Sequence, residues 1–290
     1  MLFALGLGDH VVAVTHECDW PPEAASIPHL TRTVIPEGLS AREIDETVRA
    51  TVGAGRPLYE LDAERLSEQA PDLIVTQAVC DVCAVSYDDV VAVAAQLPSQ
   101  PQVLSLDPMT LQQVLDDFGR LGSASGAEQE ARMLHEQARR RIEAVRQAVT
   151  GEGRPSVLAI EWLDPPFIAG HWVPEMIEIA GGVDAMGRPG ERSRTATWEE
   201  LRDTNPAVAV VMPCGYDAQR SAEEAEAFAD EVASLGAERT VAVDASAYFS
   251  RPGPRLIEGI ELLGHVLHPG AVGPPPADRL CEIAHAGGGT

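Results

Sequence analysis

Short runs of β-branched and aliphatic residues alternate with longer amphipathic stretches along the chain. This is the pattern of an α/β protein built on parallel sheets. Strands are predicted at Val11–Thr15, Leu73–Thr76, Val103–Leu106, Val157–Ile160, Ala207–Met212 and Val241–Val243. Helices are predicted at Ser40–Val52, Ala63–Gln69, Tyr87–Gln96, Thr110–Leu121, Pro174–Ala180, Ala218–Leu235 and Leu256–Leu267. Local chemistry marks several ends. Ser40 followed by Glu43 reads as a capping box. Pro174 sits in a first turn, where a missing N–H costs nothing, and Gly181-Gly182 closes that helix. Thr197-Trp198-Glu199-Glu200 reads as a helix start, with Trp198 as a packing residue.

The most regular segment is Ala124–Val149, which has no proline and carries Arg139, Arg140, Arg141 and Arg146 late in its course. As one helix it would be ~37 Å long, long enough to act as a spacer between two lobes. The expected layout is an N-terminal α/β lobe (1–122), a long interlobe helix (123–150), a C-terminal α/β lobe (151–270) and a loose Gly-, Pro- and Ala-rich tail (271–290). The fold class is therefore α/β, with two Rossmann-like lobes whose parallel sheets flank one long helix.

Composition narrows the function. With 21 basic and 45 acidic residues among 290, the formal charge is −24. Such a surface repels phosphate backbones and anionic lipid, so nucleic-acid and peripheral membrane partners are not expected. No apolar run approaches the ~18 residues of a membrane span. Met1–Gly8 is apolar, but it is short, has no basic residue before it and has no cysteine nearby for a lipid. As written, the chain is expected in the cytoplasm, or in the periplasm or outside the cell if the true start lies upstream. GxGxxG, Walker A and GxSxG motifs are absent, which leaves nucleotide-driven and hydrolase chemistry without support.

The chemically unusual residues cluster behind predicted strands. Thr15, His16, Glu17, Cys18 and Trp20 follow the first, and Gln77, Cys80 and Cys83 follow the second. Glu161, Trp162, Asp164, Phe167, His171 and Trp172 follow Val157–Ile160. Cys214 follows Ala207–Met212, and Tyr248, Phe249 and Arg251 follow Val241–Val243. In open parallel sheets, ligands bind in the crevice beyond the carboxyl ends of the strands, so these loops predict a ligand cleft between the lobes. Each group also has a plainer reading. The tryptophans are either core packing or an apolar wall for a large flat ligand. Arg251 is either an anion contact or a helix cap. The carboxylates of Glu17, Glu161 and Asp164 show no paired geometry for acid–base work. Five cysteines do not make a disulfide framework. Cys18, Cys80, Cys83 and Cys214, with His16 or His171, would suit Zn²⁺ or another soft metal, or would line a cleft without one. Cys281 reads as incidental.

With these residues in hand, the chain resembles the cobalamin-type substrate-binding proteins of ABC transporters, the helical-backbone class III group. The resemblance runs over about residues 1–269. It rests on Gly6-Leu7-Gly8-Asp9 with Val11-Val12, Thr15–Asp19, Thr76-Gln77 with Cys80 and Cys83, Glu161–Phe167, Gly170–Glu175 and Tyr248–Arg255. These segments are similar to a cysteine-containing subgroup that carries the label cobalamin-binding. The resemblance implies two lobes bridged by a stiff helix, with a corrinoid or related metal chelate held between them by shape, aromatic contact and axial coordination. It also implies an ABC permease as partner. Relatives begin with a strand and a Pro-Ser turn ahead of the Leu2–Gly8 segment, so the first lobe is expected to be trimmed here or to start upstream. The leading expectation is a non-catalytic binding protein for cobalamin or a related chelate. The alternatives are a metal-binding protein using the Cys/His set and a thiol-dependent enzyme using Cys18 or Cys80.

Overall fold

In the computed structural model, residues 1–77 and 85–284 are described, and the chain divides into two compact units. One comprises Met1–Pro108 with Asp116–His135, the other Met109–Leu115 with Glu136–Thr290.

The first unit opens with short 3-10 turns and then forms β1 (Thr31–Thr33), α1 (Ala41–Gly53), β2 (Tyr59–Leu61), α2 (Ala63–Gln69), β3 (Leu73–Thr76), α3 (Tyr87–Ala94) and β4 (Gln102–Ser105). β3 and β4 run parallel, while β1 and β2 form an antiparallel ribbon with Thr31 opposite Leu61. The capping box at α1 is present in full: the Glu43 N–H donates to Ser40 Oγ, and the Glu43 carboxylate accepts from the Ser40 N–H at 2.8 Å. Leu30, Leu66 and Leu97 form one apolar cluster, with Ile74 and Val93 against it. Val11–Thr15 is not a strand. Among the described residues only Val14 pairs, through a single parallel bridge to His29, and Val12 stays exposed.

The helix α4 (Leu111–Ser125) and the helix α5 (Glu128–Ala148) both contribute to the two units. The break between them falls at Gly126, whose φ of +74° suits glycine. Just before it, Gly122 lies so close to α5 that a Cβ there would stand 2.5 Å from the Ala131 methyl. The expected Ala124–Val149 helix therefore begins four residues later than its periodicity suggests. Its buried stripe is Ala131, Ala138, Ile142 and Val145, at the three-, four- and seven-residue spacings of one helix face.

The second unit continues with β5 (Ser156–Leu163), β6 (Pro166–Ile168), α6 (Val173–Ile179), β7 (Val183–Asp184), β8 (Arg194–Thr195), α7 (Trp198–Asp203), β9 (Val208–Val211), α8 (Ala218–Ala227), α9 (Ala229–Ala233), β10 (Arg239–Val243), α10 (Ala245–Tyr248), α11 (Leu256–Leu267) and β11 (Leu280–Glu282). The sheet order is β11-β10-β9-β5-β6-β8, and β7 adds to the start of β5. Its centre, β10-β9-β5, is parallel, with Ile160 opposite Val211 and Ala242 opposite Val211 on the other side. All of β9 and most of β10 are buried, which explains their unbroken Val/Ala runs: a strand covered on both faces has no polar side. Antiparallel β6, β8 and β11 flank this core.

Two expectations change here. The helix expected over Ala218–Leu235 is broken at Phe228, which leaves helical geometry (φ −111°, ψ 31°) and stacks its ring 6.4 Å from Trp198. The segment read as a loose tail contains β11, and Cys281 within it packs with Ile283 against the main core instead of standing apart. A short ion pair joins Arg279 to the buried Asp244, and Arg239 pairs with Glu282. Burial of an unpaired carboxylate is costly, so Arg279→Ala is expected to destabilise this unit by about 2–3 kcal/mol. It should also free β11. Denaturant unfolding, together with faster amide exchange at Ile283, whose N–H donates to the Thr240 carbonyl, measures both effects.

Candidate functional site

The first unit carries Thr15, His16, Glu17, Cys18, Trp20 and Gln77. The His16 N–H donates to Thr31 Oγ at 3.0 Å, and Nδ1 shares a 2.7 Å hydrogen bond with the same hydroxyl. The ring lies 5.3 Å from that of Tyr59, and Glu17 Oε1 is 3.4 Å from Nε2. Thr15 Oγ1 is 3.3 Å from Cys18 Sγ within a tight turn. Trp20, ahead of a cis bond to Pro21, leaves 53% of its surface exposed. That is an unusual degree of exposure for the largest side chain. Gln77 closes β3 and is half-buried. Cys80 and Cys83 lie outside the described residues.

In the second unit, the strand-end candidates form one connected rim. β5 pairs with parallel β9 and then with antiparallel β6, and its register slips between Ile160 and Trp162. Glu161 is the residue left over, a β-bulge of the kind that re-aims a side chain beside a site. Loss of hydration on burial pushes its pKa up to about 7, against the opposing influence of the nearby Ser193 hydroxyl and Gly170 backbone. The Glu161 carbonyl accepts from the Cys214 N–H at 3.1 Å, joining the β5 and β9 ends. Trp162 meets Tyr216 edge-on at 5.6 Å, and the Arg220 guanidinium lies 3.7 Å above the Tyr216 ring. The Tyr216 carbonyl accepts from the Ser246 N–H, and Ser250 Oγ accepts from the Gly215 N–H, so the β10 loop is tied in. Arg251 donates to Ser246 Oγ at 3.0 Å.

Glycine is required at position 170. A Cβ there would lie 2.4–2.6 Å from the backbone of residues 191–193. This close approach brings Ser193 beneath the next residue, His171. His171 has φ +53°, a left-handed conformation uncommon outside glycine, and its N–H donates to the Glu191 carbonyl at 2.6 Å. Its Nδ1 lies 3.5 Å from Ser193 Oγ. Burial, then the neighbouring Arg192, lowers its pKa and favours the neutral ring.

The aromatic candidates divide by burial. Trp162 and Phe167 are half-buried at the rim, and Trp162 Nε1 donates to the Asp164 carbonyl. Trp172, Tyr248 and Phe249 are buried, and Trp172 Nε1 donates to the Phe249 carbonyl at 2.8 Å. These three hold the loops in place beneath the rim. Asp164 is half-buried before a cis bond to Pro165, and Cys214 is exposed. Among the described residues, no group of three or more His, Cys, Asp or Glu side chains is placed to hold a metal. The candidate metal set of Cys18, Cys80, Cys83 and Cys214, with His16 or His171, includes two cysteines outside those residues. Ser193 carried no signal in sequence, since Gly190-Glu191-Arg192-Ser193 reads as an ordinary polar loop.

Two predictions follow from this rim. The ordinary pKa of a glutamate is 4.5, and that of Glu161 in the fold is about 7. Its ionisation therefore costs stability as pH rises between these values, and the full cost is present above pH 7. Glu161→Gln removes this cost, so its stabilising effect in denaturant titrations should be larger at pH 8 than at pH 5.5, reaching on the order of 2–3 kcal/mol. Gly170→Ala forces the 191–193 backbone away and should destabilise the unit by about 1–3 kcal/mol, read as a lower unfolding midpoint.

No protein of curated function matches the chain in sequence. Solved structures share its fold. A periplasmic heme-binding protein from Pseudomonas aeruginosa is similar at TM-score 0.71 and 17% identity, over 98% of this chain and 93% of that one. The periplasmic vitamin B12-binding protein BtuF of Vibrio cholerae is similar at TM-score 0.64 and 18% identity, over 92% and 91%. The heme-binding protein RhuT from Roseiflexus is similar at TM-score 0.65 and 22% identity, over 93% and 94%. The family model described as periplasmic binding protein matches residues 1–237. No helix among the described residues is long and apolar enough to cross a membrane. The α/β architecture and the family match agree: the chain belongs to the periplasmic binding proteins, a family that binds solutes and does not transform them.

Proposed function

We propose that this protein binds a large planar metal chelate, a corrinoid or a heme, and delivers it to an ABC permease. The observation that carries this reading is the connected rim of the second unit. There the loops after β5, β9 and β10 are stitched together and present half-buried Trp162 and Phe167 beside Glu161 and His171. A flat, largely apolar ligand needs such a combination, with area for stacking and a few fixed polar groups for orientation. Exposed Trp20 of the first unit offers a second aromatic face of the same kind. The solved structures of similar fold include proteins titled as heme-binding and vitamin B12-binding, and that supports the chelate class. The charge of −24 suits a permease that presents a basic face. The family name supports a working compartment outside the cytoplasmic membrane.

Titration of the full chain with aquocobalamin and with hemin, followed by calorimetry and visible absorption, tests the proposal. One of the two should bind at roughly 1 μM or tighter, about −8 kcal/mol. Absence of binding to both at about 100 μM, a level that would capture even interactions near −5 kcal/mol, would remove it. Trp20→Ala is expected to weaken binding about tenfold, the ~1.4 kcal/mol typical of one aromatic contact, in a chain that still unfolds cooperatively.

A further inference from the structure

The stretch 139–154 inverts the charge of the chain. It holds five arginines and two glutamates, in a protein whose formal charge is −24. Within the second unit, the later part of α5, the start of α4 and the helix α6 line a hollow of about 900 Å³. Leu111, Leu115, Ile142 and Ile179 form its apolar floor, and each is buried. Arg139, Arg140, Arg146 and Arg154 stand around that floor. Arg139 and Arg146 are seven residues apart, two turns of α5. They therefore share one helix face and are spaced about 10 Å along its axis. Arg154 enters from the loop before β5, where a 2.8 Å hydrogen bond to the Gly182 carbonyl holds its guanidinium. The hollow shares no side chain with the rim that carries Glu161 and Trp162.

The carboxylates nearby do not neutralise these cations. Glu175 Oε2 accepts from the Leu111 N–H at 2.5 Å, and Glu143 accepts from Gln147 at 3.1 Å. Arg140 comes no closer than 3.9 Å to Glu136 on the open surface. Among the described residues, Arg139 and Arg146 have no ion pair. Arg141, between them in sequence, shows the opposite outcome, since it turns onto Glu258 and Glu261 of α11 at 3.1 and 2.7 Å. Like charges left around one hollow repel each other, and an anion placed there relieves the repulsion. A guanidinium grips phosphate and carboxylate through paired N–H donors. Repulsion from the rest of the acidic chain is screened beyond ~8 Å at physiological salt, so the arginines at close range decide. The volume is that of a small-ligand pocket, roughly 300–1,000 Å³. We infer that this hollow is a second binding site, for a small polyanion carrying two or more phosphate or carboxylate groups. It stands independently of the chelate-binding reading, because it uses other residues and other chemistry.

The test titrates the full chain with tripolyphosphate and, separately, with citrate, by calorimetry at about 0.15 M salt. At least one probe should bind at roughly 100 μM or tighter, and the one that does identifies the anionic group preferred. The thermal midpoint should rise with its concentration, as it does for any ligand of the folded state. Arg139→Gln combined with Arg146→Gln should weaken binding about tenfold or more, and each change alone about threefold. The single variants keep the inference open to test if the double variant does not fold. Arg132→Gln combined with Arg202→Gln removes the same charge from exposed positions outside the hollow and should leave the affinity within about twofold. Four results overturn the inference: no binding of either probe at about 1 mM, binding lost on going from low salt to 0.15 M, equal weakening by the Arg132/Arg202 pair, or unchanged affinity in the Arg139 and Arg146 variants. Binding of a polyglutamate peptide but of neither small anion overturns it too, and makes the hollow a contact for an acidic protein segment.

Discussion

The site in the second unit depends on how close two stretches of backbone come. Residues 191–193 lie where a side chain at position 170 would have to be, and only glycine allows the approach. His171 follows at once in a left-handed conformation, and Ser193 Oγ lies 3.5 Å from its ring nitrogen Nδ1. A carboxyl with its pKa near 7, a neutral imidazole and a strained backbone are unusual separately. Here burial is the largest cause of both shifts, and the positive φ of His171 lies beside them. Such strain persists only where the surroundings over-determine it. The buried anchors Trp172, Phe249 and Tyr248 supply that constraint from below.

The same region shows how a parallel sheet acquires a polar edge without losing its core. Up to Ile160, β5 is an interior strand buried on both faces. One residue later it changes partners, and the bulge turns Glu161 out of the register that would have hidden it. The cost of dehydrating that carboxyl is tolerated because the sheet beneath is continuous and apolar. Val208–Val211 and Val241–Val243 are buried almost without remainder. Stability is concentrated in the strands, which leaves the loops free to carry polar groups under strain.

Much of the fold was legible in the sequence because its signals are local. Leu73–Thr76, Ala63–Gln69 and Leu256–Leu267 occupy the bounds read from periodicity and caps. The Ser40/Glu43 box and the Pro174 helix start followed from side-chain chemistry within one turn. What was not legible depends on partners far along the chain. Val11–Thr15 has a strand's composition but, among the described residues, pairs only at Val14. Phe228 breaks a helix because Trp198, thirty residues earlier, receives its ring. At the candidate site, Glu161, Trp162 and His171 stand after a strand in the sequence and lie on one rim in the fold. Ser193 carries no such mark, because its nearness to His171 comes from a backbone approach that no spacing encodes. Trp172, Tyr248 and Phe249 share the composition of ligand-facing residues but lie buried beneath them, and only burial separates the two groups.

The return of the chain at Leu280–Glu282 has a practical corollary for handling the protein. By pairing with β10 and locking through Arg279 to Asp244, these residues occupy what would otherwise be an open, apolar sheet margin. A version trimmed before Pro276 would display Val241–Val243 along a bare margin, the kind of template on which separate molecules join strand to strand. Shortened forms should therefore be judged first by whether they stay dispersed at high concentration.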